Sequence, residues 1–154
     1  MPKGDTFSFT FDKSKVFPGT SRNVTVYVPK QYDGKTPACV YVNQDGMQWN
    51  APAVFDKLIA EKSMPVTIAI GVTPGILKAA NKDALPRFNR SPEYDGLGGD
   101  YARFLLDELL PEVETKMAAA TARLSSRRVG TIGPLAAPSA VPTGCAPTAT
   151  AASG

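Results

Sequence analysis

At 154 residues the chain has the length of one domain, and its 43% apolar content can support a core. Histidine is absent, which removes the commonest general base and the commonest metal ligand, and no metal or cofactor is expected. The net charge of +3 comes from Arg123, Arg127 and Arg128, because residues 117–154 hold no acid and subtracting these three leaves residues 1–116 neutral. Three arginines without interleaved aromatics do not make a nucleic-acid binder. No apolar run approaches a membrane span, so no membrane partner is expected. The opening Met1-Pro2-Lys3-Gly4-Asp5-Thr6 lacks the apolar core of a signal peptide. Localisation and oligomeric state stay open.

Thr6 to Phe11 alternates, with Phe7, Phe9 and Phe11 on one face, which predicts a half-buried strand over 6–11. Phe17-Pro18-Gly19-Thr20 turns the chain, and Val24, Val26 and Val28 mark a second alternating strand over 22–28 that Pro29 ends. The two suggest an antiparallel pair at the edge of a sheet. Ala38 to Val42 is a short apolar run, the pattern of a strand buried on both faces, and predicts a strand over 38–43. Cys39 within it reads as a buried thiol.

Asp45-Gly46 is a turn pair, and Gly46 can take backbone angles that a Cβ forbids. Val54, Phe55, Leu58 and Ile59 then recur at helical spacing, giving a helix over about 51–62. Val66 to Val72 is a further apolar strand. A strand, a helix and a strand in about 35 residues make a βαβ unit with parallel strands. Ligands in open α/β sheets sit just beyond such strand ends, so the Asp-Gly turn is the expected address of any chemistry.

Residues 73–97 are long for a connection and carry Lys78, Lys82, Arg87, Arg90, Glu93, Tyr94 and Asp95. They form either a solvated surface loop or one wall of a pocket. Asp100 is a plausible N-cap for a second helix over about 100–114, with Tyr101, Leu105, Glu108 or Leu109, and Val113 at three- and four-residue steps, Phe104 widening the apolar stripe and Pro111 kinking its end. From 117 the chain is rich in Ala, Ser, Thr, Pro and Gly, with prolines at 134, 138, 142 and 147 that preclude a long helix. Residues 117–154 therefore have the composition of a disordered or irregular low-complexity tail.

Four stretches in order carry a family resemblance: Phe17-Pro18-Gly19-Thr20 with the following Val24-Thr25-Val26-Tyr27-Val28-Pro29, the turn Val42-Asn43-Gln44-Asp45-Gly46, the run Asn89-Arg90-Ser91-Pro92-Glu93-Tyr94-Asp95, and Tyr101 to Val113. Over roughly residues 5–116 the chain resembles the N-terminal half of esterases of the enterochelin-esterase-like, esterase-D-like group in the α/β-hydrolase superfamily. The resemblance implies a partial α/β-hydrolase domain, an antiparallel edge pair followed by a parallel βαβ unit. It also implies a small-molecule carboxylic ester as substrate, and relatives that are often exported.

That chemistry needs a serine in a Gly-x-Ser-x-Gly elbow, then an acid, then a histidine. Neither elbow nor histidine is present, so the chain holds no catalytic triad and is expected to be inactive as it stands. What the resemblance leaves is the loop after the central strand, which supplies one oxyanion-hole amide. It points to the N–H of Gly46 or Met47, with Asp45, Gln48, Trp49, Arg90 and Glu93 as pocket candidates. The plain structural reading of the same residues is that Gly46 only makes the turn, Trp49 packs under the helix, and Arg90 and Glu93 pair with each other. A non-catalytic small-ligand module is the alternative function.

The resemblance stops near Glu114, where residues with G+C-rich codons take over. This is the mark of a stretch read out of frame or of a linker. Without the elbow strand, an edge at 38–43 or 66–72 should be left open.

Overall fold

The computed structural model describes residues 2–79 and 84–124. β1 (Asp5–Phe11), β2 (Thr20–Val28), β3 (Cys39–Gln44) and β4 (Thr67–Val72) lie side by side in the order β1–β2–β4–β3. β1 runs antiparallel to β2, with Phe11 opposite Arg22 and Asp5 opposite Val28. β2 runs antiparallel to β4, and β3 is parallel to β4 from Cys39 opposite Thr67 to Gln44 opposite Val72. This is the expected α/β arrangement, an antiparallel pair at one edge and a parallel βαβ unit beside it. The parallel pair needs a crossover, which α1 (Ala51–Ala60) provides.

The sheet has two covered faces. Val24, Val26, Ile68, Ile70 and Val72 share one, because strand residues two apart point the same way, and all five are fully buried. Phe104, Leu109, Val113 and Met117 pack on them. Each such burial removes about 1.5–3 kcal/mol worth of apolar surface from water. On the other face Tyr27, Tyr41 and Phe55 meet edge to face, with ring centroids 6.0 and 5.5 Å apart. Asp56 of α1 accepts the Tyr27 hydroxyl and the Gly4 N–H, both at 2.8 Å, which ties α1 down over β2.

The second helical region runs further than the sequence suggests. α3 (Asp100–Arg103) passes through a π-helical stretch, Phe104–Leu109, into α4 (Leu110–Leu124). Pro111 lacks the N–H that an α-helix would direct at Asp107. The wider π turn accommodates it, so the helix continues where a kinked end was expected. The buried residues step by five from Phe104 to Leu109, then by four to Val113 and Met117. Met117, assigned by composition to the tail, is core. The remaining expectations for the tail fall on residues 125–154, outside the described residues.

Three short elements occupy the long connection. β5 (Ile76–Leu77) pairs with the start of β2, β6 (Arg87–Phe88) pairs with β5, and α2 (Arg90–Tyr94) follows. Cys39 is buried at the start of β3, as expected, but in a disulfide rather than as a free thiol.

Candidate functional site

β3 and β4 end together at Gln44 and Val72, and the chain leaving β3 folds back over that end. Asp45 and Gly46 both adopt positive φ, 62° and 85°. Gly46 does so without cost and Asp at a modest one. The Gly46 N–H donates to Val72 O at 3.0 Å, which closes the turn onto β4. Asn43, buried in β3, donates its amide to Gly46 O at 2.6 Å and accepts the Tyr41 hydroxyl at 3.1 Å. Beneath the turn lies Gly71, where a Cβ would stand 2.5 Å from Met47 N and 2.7 Å from Gly46 C. Only glycine lets the turn settle this closely on the strand.

The two candidate donors separate here. The Gly46 N–H is used by Val72, whereas the Met47 N–H has no hydrogen-bond partner among the described residues. Trp49 and Asn50 then take φ of 58° and 52° before α1 begins at Ala51, and Asn50 makes no side-chain cap. Trp49 does not pack under the helix: its residue is 85% exposed. Gln48 is half-buried, with its amide nitrogen 3.5 Å from Asp45 O.

The connection 73–97 is latched to this turn. Arg90 Nε and Nη2 donate to the two carboxylate oxygens of Asp45 at 2.9 and 2.7 Å. The Arg90 hydrogen bond, opposed by partial burial, holds the Asp45 carboxyl below the usual carboxylate range. The Tyr94 hydroxyl accepts the Asp45 N–H at 3.2 Å and lies 3.4 Å from Val72 O, and Arg90 sits 5.1 Å from the Tyr94 ring centre. Burial pushes the Tyr94 hydroxyl pKa up.

Arg90 and Glu93 therefore do not pair with each other. Glu93 turns into the core and meets Arg22, with Nη1–Oε2 2.8 Å and Nη2–Oε1 3.0 Å, both side chains fully buried. It also accepts the Gly75 N–H at 3.2 Å and the Asn89 amide at 3.1 Å. The Arg22 guanidinium lies 4.2 Å from the Phe104 ring centre. With four donors on it and no exposure, the Glu93 carboxylate anchors the connection and is closed to a ligand. Among the described residues no group of three or more Cys, Asp or Glu could hold a metal ion.

Sequence reasoning brought Asp45, Gly46, Met47, Gln48, Trp49 and Arg90 to this strand end, and the structure gathers them there. It missed Asn43, Gly71, Tyr94 as a clamp, and Arg22. Arg22 had a visible signal, since it shares the inward parity of Val24, Val26 and Val28.

A mixed sheet covered by helices on both faces, with a tight clamped turn beyond its parallel strands, is an α/β fold. A family model described as "Putative esterase" matches residues 14–130, and the chain belongs to that esterase family. Among solved structures it is similar to a ferulic acid esterase, at 22% identity and TM-score 0.46, over 75% of this chain and 45% of that one. The chain thus spans under half the length of that relative. No curated protein matches it.

Proposed function

We propose that this chain carries the oxyanion side of a carboxylic-ester hydrolase site and does not itself turn over esters by Ser–His chemistry. The observation that supports the reading is the unengaged Met47 N–H, held by the Gly46–Val72, Asn43–Gly46 and Asp45–Arg90 bonds at the end of two parallel strands. A fixed backbone donor of this kind stabilises the oxygen of an ester carbonyl as it gains charge. The sequence has no histidine to activate a serine. Residual catalysis from one donor alone falls far below that of a full triad.

The test is release of nitrophenol from a short-chain nitrophenyl ester, with a fluorophosphonate as serine probe. No enzymatic release and no stoichiometric labelling are expected. Turnover with labelling of one serine overturns the proposal. The alternative, a non-catalytic ligand module, predicts that a small ester raises the melting temperature, as a ligand selective for the native state must.

We attribute the absent triad to a change of reading frame in the tail, and place the break beyond Met117, which packs in the core. Support for a later break also comes from the family match, which runs to residue 130. Sequencing the gene checks this. A shifted downstream frame encoding Gly-x-Ser-x-Gly, then an acid and a histidine, is expected. An in-frame homologous domain after Gly154 refutes it.

A further inference from the structure

The link between the clamped turn and α1 carries a side chain that its backbone geometry disfavours. Gln48 O accepts the Ala51 N–H at 3.0 Å, which closes a four-residue turn around Trp49 and Asn50. Both central residues take positive φ, 58° and 52°, as in a type I′ turn. Glycine, asparagine and aspartate dominate such positions, because larger side chains are strained there. Asn50 fits that rule. Trp49 does not, and a bulky residue at positive φ is an outlier.

Packing does not offset this strain. The indole is left exposed, although an aromatic side chain has a large apolar area to bury. Phe55, one turn into α1, makes the ring contacts with Tyr27 and Tyr41 instead. Trp49 thus carries two costs, one of conformation and one of exposure, and strain of this kind gathers at ligand sites. Two residues of chain span at most about 7 Å. Trp49 therefore starts within that distance of Met47, whose N–H is unengaged among the described residues.

We propose that Trp49 is the ring-binding residue of this site, and that the ester it receives carries a ring with an apolar face next to its carbonyl. The proposal rests on the reading of the Met47 N–H as an oxyanion donor. With the carbonyl oxygen on that N–H, the adjoining ring comes within reach of the indole, whose face stacks on flat apolar surfaces. An indole already held out by its backbone leaves no packed position on binding, which keeps the cost of ordering low. A phenyl ring and the C–H face of a pyranose share this chemistry, and the site selects for the ring rather than for length of chain.

NMR titration of the full, isotope-labelled chain tests this, because Trp49 is the only tryptophan and gives the only indole N–H resonance. The probes are benzyl acetate, an acetylated methyl glucoside, and ethyl acetate, which has no ring. At least one ringed ester is expected to shift the indole and Met47 resonances together and to bind about two- to tenfold more tightly than ethyl acetate; whichever does so names the ring. W49N restores a residue that the turn favours, so it is expected to melt no lower than wild type and to bind all three esters alike. Equal affinity of wild type for all three overturns the proposal. So does a lower melt in W49N, the mark of a structural indole, or an indole shielded from acrylamide quenching. A Met47 amide that all three esters shift while the indole stays still refutes the ring site and leaves the oxyanion reading standing. A Met47 amide that none of them moves refutes both.

Discussion

Replacing Glu93 with leucine should strip Arg22 of its only counter-charge among the described residues. Arg22 is sealed between Phe17, Phe104 and the start of β2, with its guanidinium 5.6 and 4.2 Å from the two ring centres. Two of its nitrogens donate to Glu93, and Nη2 also donates to Thr20 at 2.9 Å. Nε has no partner. Without Glu93 the arginine would be a buried, uncompensated cation, and the Gly75 N–H and Asn89 amide would lose their acceptor as well. Breaking a buried pair in this way costs about 3–5 kcal/mol, against a total stability of about 5–15 kcal/mol for a small domain. E93L should therefore unfold at a much lower urea concentration, or fail to fold at ambient temperature, read by far-UV circular dichroism. The double variant R22M/E93L should recover most of the loss, because both charges leave together and an apolar pair suits the aromatic surroundings. If E93L costs less than about 1 kcal/mol, or if the double variant is no better than the single, the pair is not the anchor described above.

Three further outcomes follow from the geometry. G71A should force the turn off the strand and destabilise by about 1–3 kcal/mol, the usual cost of overpacking, with the largest amide chemical-shift changes at Gly46 and Met47; an unshifted Met47 amide refutes the close approach. D56A leaves the Tyr27 hydroxyl and the Gly4 N–H without their acceptor, a cost of about 1–3 kcal/mol by urea denaturation; a neutral effect refutes its role in seating α1. The Asp45 carboxyl has a depressed folded pKa, so its contribution is full above its unfolded value of about 3.9 and is lost as pH falls through the lower folded value. Fluorescence of Trp49, the only tryptophan, should therefore be flat from neutral pH to about 4 and change below, and D45N should remove that step; an unchanged acid step in D45N refutes the latch.

The pattern of β1, β2, β3, α1 and β4 was legible because strand parity and helical spacing act over a few residues. Alternating Phe7, Phe9 and Phe11 and the mostly apolar run Thr67–Val72 leave little freedom in what is buried. The long helix was only half legible. A strict three- and four-residue count selects Tyr101 and Leu105, whereas the π turn brings Phe104 and Leu109, five apart, onto one line. Nothing local announces such an insertion except Pro111 just beyond it. Partner choice was less legible still. Glu93 and Arg90 are three apart in sequence and suggest a pair, yet α2 sends one carboxylate inward to Arg22, 71 residues away, and one guanidinium outward to Asp45. The choice depends on how β5 and β6 carry the connection across β2, which only the assembled sheet determines.

The turn itself is more constrained than a change of direction requires. Gly46 alone would let the chain reverse, yet Asp45, Trp49 and Asn50 also sit at positive φ, at a modest cost for Asp and Asn and at about 1–3 kcal/mol for Trp49. Such conformations persist only where surrounding bonds over-determine them. At Asp45 and Gly46 those bonds are the paired hydrogen bonds from Arg90, the Tyr94 hydroxyl on the Asp45 N–H, Asn43 on Gly46 O, and Val72 O on the Gly46 N–H. Every one holds the turn at Asp45 or Gly46, and none uses the Met47 N–H that follows. A device meant only to reverse the chain would relax into type I or type II geometry with fewer partners. The strain and the clamps together set the direction of one free backbone donor at the end of the parallel strands, and leave an exposed indole two residues further on.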